Sequence, residues 1–134
     1  MRILFDTNVI LDVLLDRKPF SNVATELLEK VESGVLVGYI SATTVTTIHY
    51  LAAKSVGPEK SRIEIAKLIS LFEIAPINRA VIEMAIKSRV ADFEDAVLCE
   101  AARHVGIDGI VTRNVKDFKQ SDLKIYDPVE LVKM

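Results

Sequence analysis

Aspartates recur in this sequence where a parallel sheet would present them to solvent. Asp6 directly follows the apolar run Ile3-Leu4-Phe5, Asp92 and Asp95 open a helical stretch, and Asp117 lies just beyond the run Gly109 to Thr112. Open parallel sheets bind ligands beyond the carboxyl ends of their strands, so these acids are expected to gather at one sheet edge. Carboxylates brought together repel one another, and a hard divalent cation both relieves the repulsion and activates a water against phosphorus. With only His49 and His104 as imidazoles and Cys99 as the single thiol, a zinc site built on Cys and His is nearly excluded. Oxygen donors point instead to Mg²⁺ or Mn²⁺, and phosphodiester hydrolysis is the reaction that best matches an acid-rich, histidine-poor site.

Each acid also has an ordinary structural reading. Asp6 can cap the helix that carries Val9 and Ile10, although a free carboxylate after a buried strand is costly unless it is paired or metal-bound. In Asp92-Phe93-Glu94-Asp95, capping explains one acid, but three in four residues exceed what a cap requires. Asp95 is the stronger candidate, Asp92 the second, and Glu94 is expected to face solvent. Asp117 also reads as a surface acid. Asn114 offers a neutral oxygen near it, and Arg113, Lys116 and Lys119 supply positive charge suited to phosphate. Asp12, one and a half helical turns past Asp6, is expected to point elsewhere and pair with Arg17. Cys99, among Val97, Leu98, Ala101 and Ala102, reads as a buried packing residue.

The elements that must position these groups follow from periodicity. Strands are expected at Arg2 to Phe5, Val35 to Ile40, Phe72 to Ala75, Gly109 to Thr112 and Lys124 to Tyr126. Helical spacing places helices after Asp6, from Ser21 to Gly34, from Ser41 or Thr43 to Gly57, around Ile63 to Ile69, from Arg79 to Lys87, from Asp92 to Gly106, and from Pro128. The β-branched run Thr43 to Thr47 makes the start of the third helix the hardest boundary to place. Strands alternating with helices predict a three-layer α/β/α domain over 1–134, with a mostly parallel sheet of four or five strands.

Composition sets further bounds. Half of the residues are hydrophobic, as a sheet covered on both faces requires. The net charge of −2 gives no global attraction for nucleic acid, so any such binding needs a local positive patch. No stretch approaches a membrane span, and Arg2 leads straight into the first strand, so a cytoplasmic protein is expected. A dinucleotide-binding fold would need a glycine-rich turn where Asp6-Thr7-Asn8 stands, and a receiver domain would need an aspartate near Ala75-Pro76-Ile77-Asn78.

Three segments, taken in order, resemble the PIN-domain family: Phe5-Asp6-Thr7-Asn8-Val9-Ile10-Leu11-Asp12, Asp92-Phe93-Glu94-Asp95-Ala96, and Ile110-Val111-Thr112-Arg113-Asn114 with Lys116-Asp117-Phe118. That family comprises small metal-dependent nucleases and includes the ribonuclease toxins of toxin–antitoxin pairs as well as RNA-processing enzymes. The resemblance implies Asp6 and Asp95 as metal ligands, with Asp117 or Asn114 in the last acidic region and Thr112 as a positioning hydroxyl. It further implies an endoribonuclease acting on RNA, a homodimer and, for toxins, an antitoxin whose tail covers the acidic site. The family often carries Ser-x-x-Thr-x-x-Glu after the second strand; Ser41 and Thr44 match it, but Thr47 stands where the acid is expected. One typical ligand is therefore missing. Asp92 supplies the lost charge or the metal is held more weakly, and a catalytically weak module that binds RNA or a protein partner is the alternative.

Overall fold

The computed structural model describes residues 1–134. Strand β1 (Arg2–Phe5) lies at the centre of the sheet, which is why Ile3, Leu4 and Phe5 are all fully buried. Its neighbours are β2 (Val37–Ser41) on one side and β4 (Gly109–Val111) on the other, with β3 (Glu73–Ala75) and β5 (Lys124–Tyr126) at the edges. Every pairing is parallel, and the order is β3-β2-β1-β4-β5.

Alternation along the strands divides the core in two. Ile3, Phe5, Ile40 and Val111 face one layer, built from α1 (Thr7–Leu14), α2 (Ser21–Glu32), α3 (Ala42–Val56), α4 (Pro58–Leu71) and α7 (Pro128–Val132). Leu4, Tyr39 and Ile110 face the other, built from α5 (Arg79–Ile86) and α6 (Phe93–His104). The expected three-layer α/β/α architecture is the observed one.

Boundaries differ from the sequence reading in explicable ways. β2 begins at Val37 rather than Val35, because the chain leaving α2 needs Val35 and Leu36 to return to the sheet, and Val35 is exposed. Ser21 is the first residue of α2 rather than its cap, and Phe20 precedes it without a capping side chain. The difficult start of α3 is fixed by Ser41, whose Oγ accepts from the Thr44 amide at 3.1 Å. Cys99 lies in the second core, and burial pushes its thiol up to about 11, as a packing residue requires.

Gly38 marks the tightest point of the first core. A Cβ there would lie 2.7 Å from Phe72 Cε2, and Phe72 is itself held edge-on against Phe5 at 5.0 Å between centroids. Gly38→Ala is therefore expected to cost about 1–3 kcal/mol through overpacking. Thermal melting checks this; a variant as stable as wild type would mean that Phe72 yields freely.

Candidate active site

The chain turns left from β1 to β2 and β3 and returns to the right for β4 and β5, so the order reverses between β1 and β4. Such switch points leave a crevice beyond the strand ends. Asp6 leaves β1 at this crevice and Thr112 leaves β4. The Asp6 amide donates to the Val111 carbonyl at 3.0 Å, and the Thr112 hydroxyl donates to Asp6 Oδ2 at 2.7 Å. Asp6 Oδ1 accepts from the Thr7 amide at 2.7 Å, so the residue also caps α1. Asn8 Nδ2 approaches Asp6 Oδ2 at 3.4 Å. Despite these donors, burial holds the Asp6 carboxyl above the usual carboxylate range, and the charge of Asp117 adds to the effect.

Asp95 sits in the first turn of α6, half-buried, with its carboxyl pushed up to about 7. Burial is the largest cause, followed by the charges of Asp6, Asp92, Asp117 and Glu94. Asp92 caps α6, accepting from the Asp95 amide at 3.1 Å, so its capping reading holds and its charge still reaches Asp95. Glu94 is exposed, as expected. Asp117 is exposed on a short 3-10 turn, Val115–Phe118, whose position is set by buried Phe118. Asn114 opens that turn; its amide donates to Thr112 Oγ1 at 3.0 Å and its side chain is exposed. Thus the charges of Asp6 and Asp117 both reach Asp95, which lies on a third element.

The basic residues divide. Lys116 and Lys119 are exposed and carry no ion pair, whereas the Arg113 guanidinium is committed to Asp12. Its Nε and Nη2 donate to the two Asp12 oxygens at 2.7 and 3.2 Å, and Arg17 Nε stands 3.0 Å from the same carboxylate. Asp12 does pair with Arg17, but Arg113 is its second partner, and the carboxylate is 1% exposed. The sequence marks Thr7 and Asn8 only as turn or helix-cap residues after the first strand. The Thr7 hydroxyl meets Thr44 Oγ1 at 3.1 Å, and Ser41 Oγ donates to Thr44 at 3.0 Å. These buried hydroxyls tie α3 to the start of α1. Thr47 lies one helical turn beyond Thr44, half-buried.

The sequence pattern of the PIN domain matches residues 2–116. The chain belongs to the PIN-domain family. Ribonuclease VapC1 of Aquifex aeolicus (strain VF5) is 22% identical over 129 residues, covering 92% of this chain and 88% of the relative. Two solved structures share the fold. A toxin–antitoxin complex from Klebsiella pneumoniae superposes with a TM-score of 0.73 at 24% identity, covering 94% of this chain and 97% of that one. FitAcB from Neisseria gonorrhoeae gives 0.72 at 22% identity, with 95% and 98% covered.

As a ligand set, Asp6, Asp95 and Asp117 offer only hard oxygens, the donors a small divalent cation takes. Their mutual repulsion and the raised Asp6 and Asp95 carboxyls are what such a cation would relieve. The donor chemistry suits such a cation, but no three acidic, imidazole or thiol groups stand close enough together to hold one in this arrangement.

The pH dependence of stability follows from Asp95. An unfolded aspartate titrates near ~4, whereas this one titrates at about 7 in the fold. Between those values the folded state holds a proton that the unfolded state has lost, so stability falls as pH rises and stays low above the upper value. Asp95→Asn should remove that slope. Discounted for the half-open side chain, the gain at pH ~8 is ~1 kcal/mol, with little difference near pH ~4. Melting curves across pH check this; a variant melting lower at high pH would reduce Asp95 to a helix-terminal acid.

Proposed function

We propose that the protein is a divalent-metal-dependent endoribonuclease, acting on RNA as the toxin of a toxin–antitoxin pair. The observation that carries the reading is the PIN-domain match over residues 2–116, supported by the raised Asp6 and Asp95 carboxyls, which the charge of Asp117 helps to raise. The ribonuclease name of the Aquifex relative and the toxin–antitoxin assembly from Klebsiella support the substrate class and the partner. In this reading Asp6, Asp95 and Asp117 hold Mg²⁺ or Mn²⁺. When bound, the ion supplies an activated water and withdraws charge from the phosphoryl oxygens.

The chain's own groups do the rest. Thr112 and Asn8 fix the Asp6 carboxylate so that its oxygens cannot swing away. Asp92 adds charge at the mouth of the site while anchoring α6. Lys116 and Lys119 receive the flanking phosphates. Arg113 contributes through its pairing with Asp12, which holds the segment after Thr112 in place, rather than as a free phosphate ligand. No helix is long and apolar enough to cross a membrane, and a cytoplasmic place of action suits an RNA substrate. Apolar side chains exposed on α3 and α4, among them Tyr50, Leu51, Ile63 and Ile69, support a homodimer.

Thr47 favours a second reading, a weakly catalytic module that binds RNA or a protein partner. It puts a hydroxyl where the family often has a carboxylate, so the ion would be held by fewer charges.

One test separates these readings, and a second separates the roles of the basic residues. The purified protein should cleave single-stranded RNA in Mn²⁺ or Mg²⁺ and be silent in EDTA, with Asp6→Asn lowering the rate by several orders of magnitude while remaining folded. RNA binding without cleavage in either metal would select the second reading. In the metal-free protein, Lys116→Ala and Lys119→Ala should each reduce the salt slope of RNA binding by about one unit. Arg113→Ala should change that slope less and lower the melting temperature more, because it strips one partner from buried Asp12. Equal slopes for all three variants would return Arg113 to the phosphate path.

A further inference from the structure

Beside the acidic cluster, where α2 and α7 approach the segment after β4, lies a cavity of about 360 Å³. Its apolar walls include Phe20, Val23 and Pro128, and Asp12, Arg113 and Asp127 supply the polar edges. The volume falls in the range of small-molecule sites. Arg113 joins this cavity to the active site. It directly follows Thr112, whose hydroxyl holds Asp6, and its guanidinium lies 3.9 Å from the centroid of the Phe20 ring.

The charges of the cavity argue against a phosphate. Asp12 is matched by Arg113 and Arg17, and Asp127 leaves the edge without net positive charge. A flat, weakly polar group suits the remainder: Phe20 is 41% exposed, and an arginine–aromatic pair is a surface on which bases stack. Asp127 Oδ1 accepts from the Val129 amide at 2.8 Å, while Oδ2 has no protein donor. An ionised carboxylate only accepts hydrogen bonds and is repelled by the two carbonyl oxygens that flank uracil's one N–H, so this edge favours a base bearing an amino group.

We propose that this cavity receives one nucleobase of the RNA strand cut at the acidic cluster, stacked at Phe20 and read by Asp127. The inference rests on the ribonuclease reading. It assigns the enzyme a specificity pocket next to the scissile bond, favouring adenine, cytosine or guanine over uracil at one position. A protein side chain is the alternative occupant, and its presence would leave RNA cleavage insensitive to the base at this position.

The test uses the full chain in Mn²⁺ and oligoribonucleotides with a mapped cleavage position. Abasic residues are placed one at a time around the scissile bond, and kcat/KM is measured for wild type, Phe20→Ala and Phe20→Leu. One abasic position should lower wild-type kcat/KM by about 5–150-fold, the range of a lost base–aromatic stack. Phe20→Ala should lower it similarly on intact RNA, with little further loss on that abasic substrate. Phe20→Leu keeps the apolar volume and should melt like wild type yet lose much of the same factor. Asp127→Asn keeps an oxygen to cap α7 and should erase the discrimination against uridine at that position. Independent, multiplicative losses, or Phe20 variants as active as wild type, would overturn the base pocket and leave the cavity to a protein partner. A wild-type protein that cuts no RNA would instead overturn the ribonuclease reading, and the pocket with it.

Discussion

The Asp6 carboxylate is the group on which the rest of the site depends. It is 7% exposed at the end of a central strand, where an unsatisfied charge would cost several kcal/mol. The fold meets that cost with the Thr7 amide from its own helix and the Thr112 hydroxyl from across the sheet. Thr112 can reach it only because β1 and β4 pair with Phe5 opposite Val111. A slip of one residue would turn the Thr112 side chain to the other face. The chemistry of the site and the register of the central strand pair are therefore one constraint. Sheet pairing fixes the carboxylate, and the carboxylate in turn penalises any other register.

Asp12 extends the same logic one and a half turns further along α1. It is almost wholly buried, and such a charge persists only when paired and hydrogen-bonded. Arg113 supplies a two-pronged contact from the loop after β4, and Arg17 approaches from the end of α1. The backbone leaving β4 is thereby held at two points, Thr112 to Asp6 and Arg113 to Asp12. The short turn that carries Asp117 begins immediately afterwards, so an exposed acid with few contacts of its own still has a defined place near Asp6. Fixing Arg113 removes a cation from the phosphate path but gives the cavity beside Phe20 a rigid polar edge.

Much of this was legible in the sequence, and the reasons are physical. The apolar run Ile3-Leu4-Phe5, ended by Asp6-Thr7-Asn8, reads as a strand covered on both faces, and the aspartate that follows it then sits at the sheet edge. Asp92 was readable as a cap because its acid-rich first turn obeys local rules. What stayed hidden is long-range. Nothing near Asp12 in the chain indicates Arg113, 101 residues away, so the local partner Arg17 was the only visible one. The β2 boundary and the role of Ser21 depend on how the chain leaves one helix and enters the next, which periodicity does not record. Asn8 was in plain view two residues after the cap Asp6, but its contact to Thr112 exists only once β1 and β4 are adjacent.

Thr47 shows how a motif can separate into parts. The Ser-x-x-Thr portion does mechanical work here. Ser41 caps α3, and Thr44 bridges to Thr7, whose amide holds Asp6. That portion is intact, so the start of α3 is placed whether or not an acid follows one turn later. The site carries a good deal of negative charge without that acid. Asp95 is raised to about 7 by burial and by four neighbouring carboxylates, so much of it is protonated at neutral pH without a cation. Asp92 is one of those four, and it reaches Asp95 from the cap of α6. The start of α3 is therefore positioned by Ser41, Thr44 and Thr7, whichever residue stands at position 47.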